Sequence, residues 1–203
     1  MKKIILASRS KDREELLKLI KIPFVGIFSK VDEEFYKTKF SNPYKLVQEL
    51  AKAKAIDIKN KFNKNDSDAL VIAADTIVEI DGIIIGKPVN KEHAFEILNK
   101  LNNRAHNLIT GLAVTEISTP KLVSDYDKTI VHFSYITNDE IKSYLETNEW
   151  KDRAGAYSIK DKAALFINSI QGSYSNVIGL PLNKLFKICK EEFNFNLLKL
   201  NNL

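Results

Sequence analysis

The stretch ALVIAADTIVEIDGIIIGKP, residues 69–88, decides how this chain folds. Ala69–Ile80 is a continuous apolar run broken by Asp75, Thr76 and Glu79, and it reads as a strand. Asp81-Gly82 is a strong turn signal leading into Ile83–Ile85, so the segment is expected to form a hairpin. Burying a lone carboxylate in such a strand is costly unless it is paired or meets a cation. Asp75 is therefore expected at a strand end facing a polar cleft, with a sheet-edge aspartate capping a turn as the alternative. The hairpin geometry sends Lys87, in Gly86-Lys87-Pro88, back toward the same cleft.

Upstream, Lys3–Ala7 reads as a first strand running straight into a helix over Lys11–Lys21, on which Leu16, Leu17 and Ile20 share one face and which Ser10 can cap. The turn between them carries Ser8, Arg9, Ser10, Asp12 and Arg13. A helix N-terminus with two hydroxyls and an arginine can dock phosphate. The plainer alternative makes Ser10 only a cap and Arg13 a surface residue, since no Gly-rich phosphate loop is present. Asn42-Pro43 starts a helix ending near Phe62, with Leu46, Leu50 and Ala53 on its inner side. Lys54 falls near that buried stripe, where a lysine either snorkels, the commoner outcome, or meets an anion. Val31-Asp32-Glu33-Glu34 is an acidic run that can supply a magnesium ligand or form a solvated loop. Asn63–Asp68 is the loosest segment and reads as a loop.

Downstream, Asn90 caps a helix over Lys91–Leu101, and His106–Ile117 and Leu122–Ile136 alternate as two strands. Thr137 to Glu140 is a capping box opening a helix through Thr147. Then come Arg153–Tyr157, a short apolar segment Ala163–Ile170, a Gly172–Leu180 loop and a helix begun by Pro181. Strands alternating with helices, with hairpins mixed in, predict an α/β (mixed α+β) sheet in a single domain spanning residues 1–203. His93, His106 and His132 have no metal-ligand spacing and are assigned to packing or surface roles; Tyr157, Phe166 and Tyr174 are assigned to the core before base stacking.

Composition narrows the field without choosing within it. With 203 residues, 44% hydrophobic and 28% charged, the chain is expected to fold as an ordinary globular protein. Ile4–Ala7 is too brief for a secretion signal, and no apolar stretch approaches a membrane span. The single Cys189 fits a reducing cytosol, so a cytoplasmic location is expected. A net charge of +5 permits any anionic ligand, but no basic stripe interleaved with aromatics points to nucleic acid.

In order along the chain, these segments resemble the Maf family of nucleotide pyrophosphatases. Leu6-Ala7-Ser8-Arg9-Ser10 with Arg13 and Glu15-Leu16-Leu17 resembles its opening LASxSPRRxELL, Val31-Asp32-Glu33 its acidic motif, and Ala53-Lys54-Ala55 its helix lysine motif. Ala74-Asp75-Thr76-Ile77-Val78 resembles GADTVV, and Gly86-Lys87-Pro88 the GKP turn. Thr110 to Val114, Arg153 to Tyr157 and Gly172 to Leu182 complete the series.

The resemblance implies an inosine-triphosphatase-like fold, a long mixed sheet with flanking helices in two lobes around a central cleft, often as a homodimer. It implies cleavage of the α,β-phosphate bond of nucleoside triphosphates with a divalent cation, magnesium above all and manganese or cobalt as substitutes. Asp75 would activate water, Glu33 would assist the cation or water, and Ser8, Arg13, Lys54 and Lys87 would hold the triphosphate. Base choice would fall to Asp12, Thr76 and Lys160. Thr76 agrees with the branch preferring dTTP and UTP, whereas Lys11 and Asp12 stand where the motif has Pro and Arg, Ala73 replaces a Gly, and Lys160 replaces a Gln or Glu. The complementary charges of Asp12 and Lys160 suggest an ion pair at the base pocket. A non-catalytic nucleotide-binding regulator of septum formation is the alternative function.

Overall fold

Apolar runs and helix caps produce the expected mixed α/β architecture. The structure is a computed structural model that describes residues 2–63 and 68–200, so the central part of the expected Asn63–Asp68 loop lies outside the described residues. Seven strands form one sheet in the order β2-β1-β3-β5-β6-β7, with β4 paired to β3 off this path. They are β1 (Lys3–Leu6), β2 (Val25–Gly26), β3 (Ala69–Ile80), β4 (Ile83–Ile85), β5 (Ala105–Glu116), β6 (Leu122–Phe133) and β7 (Ile167–Gln171). β1 runs parallel to both β2 and β3, while β3–β4 and β6–β7 are antiparallel. The β3–β4 hairpin turns at Asp81-Gly82, as read from the sequence, and Asp81 and Gly82 both take positive φ there.

The helices are α1 (Lys11–Leu19), α2 (Glu33–Lys39), α3 (Pro43–Lys59), α4 (Lys91–Leu101), α5 (Asn138–Leu145), α6 (Tyr174–Ile178) and α7 (Leu182–Phe193). Asn42, Asn90 and Thr137 cap α3, α4 and α5 through their side chains, and Thr137 with Glu140 makes the full capping box. Ser10 departs from expectation. It stands at the N-cap of α1 but makes no side-chain cap bond, and its own N–H donates to Ser8 Oγ (3.1 Å).

The chain divides into two compact units. The first comprises the chain up to Asp75, Thr110–Asp127, and the chain from Gly179 onward; the second comprises Thr76–Ile109 and Lys128–Ile178.

In the first unit, Ala69, Val71 and Ala73 of β3 face Ala51, Ala55 and Ile58 of α3 in one buried cluster with Ile5, Ala7, Ala113 and Ile117. Small residues at this contact let the helix backbone approach the sheet. At Gly111 of β5 an added Cβ would lie 2.1 Å from the Val47 carbonyl oxygen, so the absence of a side chain there sets the seat of α3.

In the second unit, Phe133, Tyr144, Tyr157, Phe166 and His106 meet edge to face within a larger apolar cluster. This bears out the packing role of His106, Tyr157 and Phe166. Tyr174 instead is 49% exposed, because it begins the short helix α6 inside what the sequence suggested was a loop.

Candidate active site

β3 sets the first element of the site by its period of two. Asp75 continues the face of Ala69, Val71 and Ala73, so it points to the side on which α3 packs. Lys54 lies three residues after Ala51 and four before Ile58 on α3, within reach of the same stripe. The two meet: Lys54 Nζ is 2.7 Å from Asp75 Oδ1, and only 8% of Asp75 is exposed. Of the two outcomes open to Lys54, the structure realises the less common one, an anion partner rather than a snorkelling stem.

The acidic run divides its labour residue by residue. Asp32 caps α2 by accepting from the N–H groups of Glu34 (3.0 Å) and Phe35 (3.4 Å). Glu34 pairs with Lys37 on the surface, at 2.6 Å. Glu33, the first residue of α2, reaches Lys54 Nζ with Oε1 at 2.6 Å. One ammonium thus bridges two carboxylates from two different elements. The sequence reading did not foresee α2, because its start is written in acids that also suit a solvated loop.

Arg13 and Ser8 form the next part. Arg13 is 9% exposed, with Nε donating to the Gly179 carbonyl (2.6 Å) and Nη1 to Ser8 Oγ (3.1 Å). Burial pulls the guanidinium's pKa below its ordinary value, while Asp75, then Glu33, then Asp12 pull it back up. The arginine remains a cation, because its ordinary pKa lies so high. The plain alternative for Arg13, a surface residue, is excluded. Gly179 is a site residue that sequence reasoning missed, since its role is played by a backbone oxygen far along the chain from Arg13. Its φ of +110° is a conformation that favours glycine, but nothing in the sequence ties that glycine to Arg13.

The structure brings Ser8, Arg13, Glu33, Lys54 and Asp75 into the first unit, with Asp12 half-buried on α1. Thr76, Lys87 and Lys160 belong to the second unit. Thr76 is half-buried and follows Asp75 on β3 with its side chain on the opposite face. Lys87 is exposed in the irregular segment after β4, where the Gly86 carbonyl accepts a hydrogen bond from Gly155 N–H (3.2 Å). Lys160 is half-buried in a turn.

Cations interleaved with carboxylates on a mixed α/β sheet are suited to the class of enzymes and binders that handle polyanionic ligands. Within it, the chain belongs to the Maf-like protein family, whose model matches residues 3–192. It is 43% identical over 198 residues to a dTTP/UTP pyrophosphatase of Alkaliphilus oremlandii, covering 98% of this chain and 100% of that one. A dTTP/UTP pyrophosphatase of Thermoanaerobacter sp. is 41% identical over 97% of this chain and 100% of its own, and one of Clostridium botulinum 42% identical over 94% and 97%. A solved nucleoside-triphosphatase (dITP/XTP pyrophosphatase) from Mycobacterium abscessus aligns with 66% of this chain and 74% of its own, at 14% identity and a TM-score of 0.39.

Proposed function

We propose that this chain is a nucleoside triphosphate pyrophosphatase that hydrolyses the α,β-phosphate bond and releases a nucleoside monophosphate and pyrophosphate. The observation that carries the proposal is the buried Asp75 carboxylate held 2.7 Å from the Lys54 ammonium, with Arg13 buried in the same charged cluster. Asp75 orients and activates the attacking water, and Ser8, Arg13, Lys54 and Lys87 hold the triphosphate. Cationic side chains offset the charge that grows on the leaving pyrophosphate. Arg13 grips oxygens with a planar fork, while Lys54 and Lys87 act as movable point charges.

The residues present fit a divalent cation. Glu33 and Asp75 already converge on one positive group, and among the described residues no cluster of three or more His, Cys, Asp or Glu offers a complete protein cage. That donor set suits magnesium, which is commonly held by one or two carboxylates with substrate phosphates supplying further oxygens. Glu33 and Asp75 would hold it, with manganese or cobalt as substitutes, and when bound it supplies Lewis-acid polarisation of the phosphoryl group.

The names of the relatives favour dTTP and UTP as substrates, and Thr76 agrees with them. Asp12 and Lys160, which depart from the family motif, are proposed to set how strongly dTTP and UTP are preferred over other triphosphates. A homodimer working in the cytoplasm, where nucleoside triphosphates are found, completes the proposal.

One assay tests the reaction and the substrate together. The protein is incubated with ordinary, methylated and deaminated triphosphates and with Mg2+, Mn2+ or Co2+, while pyrophosphate and orthophosphate are measured separately. Pyrophosphate in equal amount to the monophosphate, with dTTP or UTP among the best substrates, is expected. Nucleotide binding without pyrophosphate release under any cation would overturn the enzymatic reading in favour of a binding regulator.

A further inference from the structure

We infer that Lys54 is a built-in counter-cation that occupies Glu33 and Asp75 in the nucleotide-free protein and competes with the divalent ion for them. The inference rests on the function proposed above and concerns how the same site takes up its cation. Lys54 Nζ lies 2.6 Å from Glu33 Oε1 and 2.7 Å from Asp75 Oδ1, inside ordinary charge-assisted hydrogen-bond range on both sides. Its side chain is 12% exposed and that of Asp75 11%, so their pairing is shielded from the water and salt that weaken a surface ion pair. The backbone beneath is fixed by Ala51, Ala55 and Ile58, all fully buried. The long stem above it can swing without the helix moving.

Charge balance then sets the order of events. Glu33 and Asp75 are offset by Lys54 and Arg13, so these four groups sum to about zero by formal charge. A divalent ion entering alone must displace the ammonium from both carboxylates, leaving one surplus positive charge if the ammonium withdraws and two if it stays beside the ion. A triphosphate reverses this, because its oxygens take over Lys54 while adding negative charge of their own. Metal affinity is therefore low in the free protein and rises when nucleotide binds, and by linkage nucleotide affinity rises equally with metal.

The test measures Mn2+ binding to the nucleotide-free protein by titration calorimetry, with wild type beside Lys54→Met, which keeps the stem and removes the charge. Lys54→Met is expected to bind Mn2+ at least about tenfold tighter, and adding Glu33→Gln or Asp75→Asn should abolish the gain. The α,β-methylene analogue of dTTP should tighten Mn2+ binding to wild type by a similar factor and to Lys54→Met by less. A folded Lys54→Met protein that binds Mn2+ no tighter than wild type overturns the inference. If circular dichroism shows that this variant does not fold, Lys54→Gln is judged by the same criterion. The two readings fail separately. Tighter Mn2+ in the variant without pyrophosphate release by wild type sinks the proposed reaction alone, whereas turnover by wild type with no tightening in the variant sinks the counter-cation alone.

Discussion

Asp75 in the first unit and His106 in the second are both polar side chains sunk into the sheet, 8% and 2% exposed, and they are satisfied in opposite ways. Asp75 meets an ammonium, with a buried guanidinium in the same charged cluster, so its burial is tolerated only because charge is matched by charge. His106 meets a phenol, with Nε2 2.9 Å from Tyr157 Oη, and apolar rings close around it. Burial, with a small push from His132, lowers its pKa to about 4, so it is neutral at physiological pH. A buried ion cluster is a poor way to stabilise a fold compared with apolar packing, which is why it marks a candidate functional site. A neutral pair among aromatic rings is a way to build a core.

The widest gap between the two regions should appear in catalysis. Asp75→Asn keeps the shape and a hydrogen-bond acceptor for Lys54 but removes the charge proposed to activate water. Turnover should fall by about a thousandfold or more, equivalent to about 4 kcal/mol of barrier, with the circular dichroism spectrum unchanged. Steady-state pyrophosphate release measures this. Turnover within a few-fold of wild type would dissolve the distinction drawn between the two buried groups.

Next in size is a change that touches no charged group. Gly111→Ala would place a Cβ 2.1 Å from the oxygen and 2.3 Å from the carbon of the Val47 carbonyl. Neither atom belongs to a flexible side chain, so α3 must lift from β5, carrying Lys54 with it. Urea unfolding should report a loss of about 3 kcal/mol, at the upper end for overpacking. A loss under about 1 kcal/mol would mean that α3 shifts freely and that Lys54 is not held in register with Asp75.

How much of this was legible in the sequence depends on whether the cause was local. The β3–β4 hairpin, the span Lys91–Leu101 of α4 and the capping box of α5 follow from turn chemistry, caps and periodicity within a few residues. Helix α2 was hidden because Asp32, its cap, reads equally well as part of a solvated acidic run. Helix α6 was hidden by the glycines flanking its five residues. In the site, Asp75 announced itself as a charge in an apolar strand, although it lies in the interior of β3, between β1 and β5, and not at the expected strand end or sheet edge. Lys54 was ambiguous until the strand and helix faces were put together, since either fate of a half-buried lysine satisfies the helix alone. The Gly179 carbonyl could not be read at all, because it joins Arg13 across 166 positions and involves no side chain of its own.

The second unit can be separated from the first by acid. His106 is lowered from the ordinary 6.5 to about 4 in the folded chain, so between these values the unfolded state binds more protons than the folded one. The stability due to keeping it neutral is present above about pH 6.5 and is lost as pH falls toward 4. From pH 7.5 to pH 5 this group alone should cost about 2 kcal/mol, read as a falling urea midpoint. His106→Phe should flatten that part of the slope. If the variant keeps the full wild-type slope, the acid sensitivity belongs to other groups and the neutral state of His106 is not what the second unit depends on.

The smallest effect concerns the phenol itself. Tyr157→Phe keeps the ring contacts with Phe133 and His106, whose centroids lie 4.9 and 5.5 Å away, and removes only the oxygen. His106 Nδ1 has no hydrogen-bond partner among the described residues, so losing Oη leaves Nε2 in the same condition. Leaving one buried polar atom unpaired should lower stability by about 1 kcal/mol at neutral pH. Turnover, by contrast, should hold at its wild-type kcat, because nothing in the charged cluster of the first unit depends on that oxygen. A loss of kcat with stability intact would mean that the aromatic core of the second unit takes part in the chemistry, and that polar burial here cannot be divided into a working kind and a building kind.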